Sequence, residues 1–119
     1  MAGTPATVAL DRAGIAYTPH AYEHDPANTN FGAEAASVLG LDPDQVFKTL
    51  LADLDGVLVV AIVPVGGKLD LKALAAALGG KKAVMAEPSL AERKTGYVVG
   101  GISPIGQKTA HPTVLDETA

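Results

Sequence analysis

Asp55-Gly56 stands between two long apolar runs, and this arrangement restricts the fold more than any other feature of the chain. An Asp-Gly pair readily takes the positive φ angles that a two-residue hairpin turn requires. Val46 to Leu54 precedes the pair and Val57 to Val63 follows it. Both runs favour the pleated conformation, so the chain is expected to fold back as two antiparallel strands. Val57 to Val63 is apolar without a break, so it is expected in the middle of a sheet.

The flanking signals alternate between helix and strand. Thr4 caps a first helix with Pro5 at its first position, and Gly14 ends it. Ile15 to Tyr22 reads as a strand, held to an edge or bulged by Pro19. After a polar loop from Glu23 to Asn30, Phe31-Gly32 leads into a helix over Ala33 to Leu39. Asp42-Pro43-Asp44-Gln45 is a capping pattern for a single turn. Asp70 caps a helix whose Leu71, Leu74, Ala75 and Leu78 form one apolar stripe. Lys82 to Ala86 reads as a short strand and Pro88 to Arg93 as a short helix stopped by Gly96. Tyr97 to Val99 reads as a strand entering a glycine-rich turn, and Thr113 to Leu115 as a last strand. The expected fold class is α+β: a mixed, largely antiparallel, barrel-like central sheet with flanking helices. Residues 1–119 are expected to form one domain.

Composition narrows the chemistry. Apolar residues make up 48% of the chain and aromatic residues only 4%, so the core is expected to be built from Val, Leu, Ile and Ala. Without cysteine there is no disulfide, thiolate metal site or cysteine nucleophile. No basic region followed by an apolar run opens the chain, and its apolar runs are too short to span a bilayer. A cytoplasmic location is the expectation. The net charge of −4 is unevenly spread. Residues 1–67 carry two bases and eight acids, whereas residues 68–119 carry seven bases and five acids. Lys81, Lys82, Arg93, Lys94 and Lys108 lie on or near the flank of the glycine-rich turn in sequence. Such asymmetry either serves a polyanion at one face or is a solvated surface.

Two features carry the candidate chemistry. The segment Gly100-Gly101-Ile102-Ser103-Pro104 combines positive-φ freedom with a stiffening proline. Its amides can receive an anion or a developing oxyanion, or it is an ordinary tight connection. Lys48 shares a strand face with Val46, Leu50 and Ala52, while the other face carries Phe47, Thr49 and Leu51. A lysine there either snorkels to an edge or lines a polar pocket. His20, Tyr22 and His24 alternate on one side of their segment, but no third metal ligand of matching pattern follows, and no metal site is expected. Tyr22 is a hydroxyl donor for a pocket wall or an ordinary edge tyrosine. Ser103 has no Ser-His-Asp partner set.

Tyr22-Glu23-His24-Asp25, Thr29-Asn30-Phe31-Gly32, Val46-Phe47-Lys48-Thr49-Leu50, Leu69-Asp70-Leu71-Lys72 and Thr95-Gly96-Tyr97 through Gly101-Ile102-Ser103-Pro104 occur in one order. As an ensemble they resemble the YbaK/EbsC family of the prolyl-tRNA synthetase editing-domain superfamily, over nearly the whole chain. The resemblance implies a free-standing editing enzyme that clears mischarged Cys-tRNA(Pro). Alanyl-tRNA(Pro) is the alternative substrate, and a non-catalytic tRNA- or ligand-binding module the alternative class. It implies Lys48, Gly100, Gly101, Ser103 and Tyr22 as the catalytic set and Phe31, Thr49, Ile102 and Pro104 as substrate contacts. Lys81, Lys82, Arg93, Lys94 and Lys108 would meet tRNA. The implied partners are aminoacyl-tRNA(Pro) and prolyl-tRNA synthetase, with no cofactor, membrane or DNA. Family members usually continue past the point where this chain stops, with further strands, a glycine-rich segment and a closing helix. A C-terminally shortened domain is therefore expected. No enzyme nucleophile is evident, so the attacking group is water or the thiol of the substrate.

Overall fold

The computed structural model describes residues 3–119. The Asp-Gly hairpin forms as its chemistry requires. Strands β1 (Phe47–Leu54) and β2 (Val57–Pro64) pair antiparallel from Phe47↔Pro64 to Leu54↔Val57. Asp55 takes φ 50 and Gly56 φ 88. The Asp55 carboxylate accepts the amides of Lys81 (2.8 Å) and Lys82 (3.0 Å), which brings β3 (Ala83–Met85) alongside β1. Strand β4 (Thr113–Leu115) adds in parallel on β2. The sheet order β3-β1-β2-β4 places β2 in the interior, as its unbroken apolar character requires.

The helices follow their sequence signals closely. They are α1 (Pro5–Ala13), α2 (Phe31–Val38), α3 (Leu71–Ala77) and α4 (Pro88–Thr95), with a 3-10 turn at Pro43–Gln45. Thr4, Asn30 and Asp70 each accept an amide of the first turn of the helix they cap. The pleat divides the core into two faces. Ala52, Leu54, Val59 and Ala61 face one way and pack on Leu74 and Ala75 of α3. Leu51 and Val60 face the other way and pack on Ala91 of α4, with Ile102 partly buried beside them.

Two expected strands do not form. Ile15 to Tyr22 is irregular, and its residues are exposed apart from half-buried Tyr22. Tyr17 instead donates its hydroxyl to Asp11 (3.0 Å). Tyr97 to Val99 is also irregular, despite its β-favouring residues. Local acceptors take its amides: Thr95 Oγ1 receives that of Tyr97 (3.2 Å) and Glu92 Oε2 that of Val99 (2.9 Å). Strand propensity is realised only where a neighbouring edge is available, and here the backbone is already satisfied.

Candidate active site

Only the far part of β1 is paired on both sides. Strand β3 covers Ala52 to Leu54, and the last bond of that ladder runs from Ala86 N–H to Leu51 O (3.1 Å). On the other side, Val65 donates to Val46 O (2.7 Å), which sets the alternation of the β1–β2 ladder. Phe47 and Thr49 therefore turn their main-chain groups away from β2. A cavity of about 780 Å³ lies along this open edge. Its wall draws on the start of α2 (Asn30, Phe31, Gly32), β1 from Phe47 to Leu51, Met85 and Ala86 of the β3 end, Pro88 and Ala91 of α4, and Val99, Gly100 and Ile102 of the glycine loop. The volume is that of an ordinary small-molecule site.

Lys48 lines the cavity and is half-buried. Its ammonium donates to the carbonyl of Gly67 at 3.1 Å. An ammonium has three N–H bonds, so two stay free for another acceptor. The side chain thus reaches a loop carbonyl and also borders the cavity. Thr49, Phe31, Gly100 and Ile102 line the same space.

The glycine loop is shaped by several local bonds. The Tyr97 hydroxyl donates to Ile105 O (2.7 Å), Ser103 Oγ accepts Ile105 N–H (3.1 Å), and Gln107 Nε2 donates to Ser103 O (3.0 Å). Gly100 has φ +94, and a Cβ built on it would lie 2.5 Å from Phe31 Cε2. Gly101 is different: its φ is not positive, and a Cβ there would meet only Val98 O at 3.7 Å. Its amide is already given to Val98 O (2.9 Å). The glycine requirement expected of both positions therefore rests on Gly100. Among the described residues, the amides of Gly100, Ile102 and Ser103 carry no protein acceptor.

Other expected residues lie elsewhere. Tyr22, Gly101, Ser103 and Pro104 are not part of the cavity wall. Tyr22 belongs to the segment that forms no strand, so the alternation that would have aimed it at a pocket is absent. The basic residues form two groups. Lys81 and Lys82 sit beside the Asp55 turn, at the hairpin end of the sheet. Arg93 and Lys94 occupy the last turn of α4, where cations also offset the helix dipole. Lys108 joins them through its amide bond to Thr95 O (2.8 Å). All five side chains are exposed. Among the described residues, no group of three or more His, Asp or Glu side chains converges as a metal site.

Sequence reasoning missed the wall from the β3–α4 connection. Met85, Ala86, Pro88 and Ala91 are small or apolar residues without chemical signature. The one available signal was Pro88 and Ala91 three positions apart at a helix start, on one face.

A mixed sheet flanked by helices carries an apolar cavity bordered by one lysine and a glycine loop. Residues 24–119 match the model of the aminoacyl-tRNA editing domain. The chain belongs to that family. It is 43% identical to EbsC of Enterococcus faecalis, assigned as a Cys-tRNA(Pro)/Cys-tRNA(Cys) deacylase, over 82% of this chain and 61% of EbsC. It is 34% identical to proline–tRNA ligase of Moorella thermoacetica, over 62% of this chain and 13% of the ligase. The crystal structure of a protein assigned as a trans-editing enzyme for prolyl-tRNA synthetase superposes with a TM-score of 0.67 at 32% identity, covering 77% of this chain and 58% of that one. The chain thus spans less than two thirds of the length of EbsC and of that structure. Among the described residues no helix is long and apolar enough to cross a membrane.

Proposed function

We propose that the cavity is the hydrolytic site of a trans-editing aminoacyl-tRNA deacylase, acting on tRNA(Pro) that carries cysteine. The observation that carries this reading is the opposition of Gly100 and Ile102 to the Lys48–Thr49 end of β1 across one apolar cavity. An aminoacyl ester needs both parts. Its small side chain needs an apolar wall, and its carbonyl oxygen needs donors as it becomes an oxyanion. The amides of Gly100 and Ile102, two wall residues whose N–H groups carry no protein acceptor, are the available donors, and each such donor is worth about 3–4 kcal/mol in a transition state. Lys48, with two N–H bonds to spare, would hold the ribose or phosphate of the terminal nucleotide or add charge stabilisation. Phe31, Thr49 and Ile102 would form the substrate contacts within the wall, and Pro104 and Tyr22 would act from outside it. The name of EbsC and the likeness to the editing enzyme support tRNA(Pro) as the carrier. The partners are then aminoacyl-tRNA(Pro) and prolyl-tRNA synthetase, and residues 1–119 belong to one editing domain.

The chain has no cysteine, and Ser103 Oγ serves the loop itself. Water and the substrate thiol are left as attacking groups, and the thiolate, the stronger nucleophile, is taken to attack its own ester carbonyl. The carbon–oxygen bond to the ribose breaks, the ribose oxygen takes a proton, and a cyclic thioester leaves. Deacylation of Cys-, Ser- and Ala-tRNA(Pro) tests this reading. Serine is nearly isosteric with cysteine but its hydroxyl is a far poorer nucleophile. The expected result is much faster release from Cys-tRNA(Pro) than from Ser-tRNA(Pro), with similar binding. Equal rates would point to an activated water, faster release of alanine to the other substrate, and no release of any to a binding module.

A further inference from the structure

Behind Phe31 the structure holds a connected set of side chains. Glu34 is only 6% exposed, and a carboxylate so buried needs both oxygens satisfied. His24 Nδ1 meets Oε1 at 2.5 Å, and the Asp25 amide donates to Oε2 at 2.8 Å. These two bonds, that with His24 foremost, hold the Glu34 carboxyl below its ordinary range. An ionised carboxylate only accepts, so Nδ1 carries the proton and the ring is fixed in its plane. The His24 ring lies against Phe31, with centroids 5.2 Å apart and planes tilted by 37°. Phe31 in turn touches the position where Gly100 lacks a side chain. The set runs from a buried carboxylate through an imidazole and a phenyl ring to the glycine loop.

We infer that His24, oriented by Glu34, is a positioning residue that holds Phe31 against Gly100 and thereby sets the width of the cavity for the amino-acid part of the substrate. The inference rests on the reading of the cavity as an aminoacyl-ester site. Side chains that differ by one or two atoms are separated by about 10–200-fold at most, and only if the wall does not yield. The His24 ring supplies that stiffness by packing on the Phe31 ring.

The test compares His24→Asn, His24→Ala, Phe31→Ala and the double variant His24→Asn/Phe31→Ala. Asparagine can place an N–H where Nδ1 stands, keeping the Glu34 bond but removing the ring. The readouts are kcat and KM on Cys- and homocysteinyl-tRNA(Pro), which both carry a thiol and differ by one methylene, and the NMR signals of the Phe31 ring. His24→Asn should leave Tm close to that of the parent but shrink the cysteine-over-homocysteine preference about tenfold. It should also speed Phe31 ring flips and weaken the ring's cross-peak to Gly100. In the Phe31→Ala background it should change the preference no further, because contacting residues are not additive. If His24→Ala does not fold, His24→Asn carries the comparison. Parental preference and ring signals in His24→Asn, with only His24→Ala losing stability, would overturn the inference and leave His24 as a partner for Glu34. Should the parent cleave neither substrate, the deacylase reading falls, and the Phe31 signals alone decide the positioning role.

Discussion

Gly100→Ala and Gly101→Ala are adjacent substitutions of the same chemistry, and the structure separates them. At Gly100 the new Cβ would lie 2.5, 2.6 and 3.0 Å from three atoms of the Phe31 ring, with φ at +94. Holding an L-residue in the left-handed region costs about 1–2 kcal/mol. Overpacking against the ring adds about 1–3 kcal/mol if the ring stays. The total is about 3 kcal/mol, equivalent to a fall in Tm of roughly 10 °C for a chain of this size. Phe31 has one escape, into the cavity it lines. That movement would limit the loss to the backbone contribution of about 1–2 kcal/mol, but would fill the space for substrate. Either way, deacylation should fall steeply. At Gly101 the nearest atom is Val98 O at 3.7 Å, and φ is not positive. Alanine there should be neutral or stabilising by about 0.4–1 kcal/mol, through the unfolded chain. Urea unfolding followed by far-UV circular dichroism measures both, with deacylation in parallel. Equal destabilisation by the two substitutions, or a Gly100→Ala variant with parental stability and activity, would refute the reasoning.

Lys48→Ala should abolish deacylation while costing only about 1 kcal/mol or less, since the half-buried ammonium gives up one bond to Gly67 O; full activity would remove Lys48 from the site. Binding of tRNA should weaken steeply with salt, and replacing Arg93, Lys94 and Lys108 together should flatten the slope by about three phosphate contacts. The same measurement on Lys81→Ala/Lys82→Ala asks whether the hairpin end takes part; a parental slope in both variants would leave all five as surface charges. Glu34 links stability to pH with a defined sign. Its folded carboxyl lies below the ordinary value of 4.5, so its contribution is complete above that value and is lost as pH falls through the lower folded value. Glu34→Gln should therefore show a flatter acid limb in a Tm-against-pH series, and an unchanged limb would show that the His24 and Asp25 bonds do not favour the ionised form.

Local signals sufficed wherever one residue's own chemistry settled the backbone. Asp55-Gly56 specified the turn, and Thr4, Asp70 and Pro88 the helix starts, because a turn needs positive φ, a helix start needs acceptors for its first amides, and proline brings a helical φ with no amide to satisfy. The even apolar character of Val57 to Val63 was enough to put β2 inside the sheet. Lys48 and the Gly100 loop stood out by their own chemistry, and Phe31, Thr49 and Ile102 were implied by the family resemblance; Lys48, Phe31, Thr49, Gly100 and Ile102 line one cavity. Tertiary structure decided the rest. Whether Ile15 to Tyr22 and Tyr97 to Val99 become strands depends on a free edge elsewhere, and neither finds one. Which of two neighbouring glycines is indispensable depends on where Phe31, 69 residues away from Gly100 in the chain, lays its ring. The separation of Lys81 and Lys82 from the basic residues around the end of α4 depends on Asp55 capturing the amides of Lys81 and Lys82. His24 and Glu34 are ten residues apart and look like loop and helix surface in the sequence. Burial of the carboxylate makes them partners, because a charge removed from water must find its hydrogen bonds within the protein.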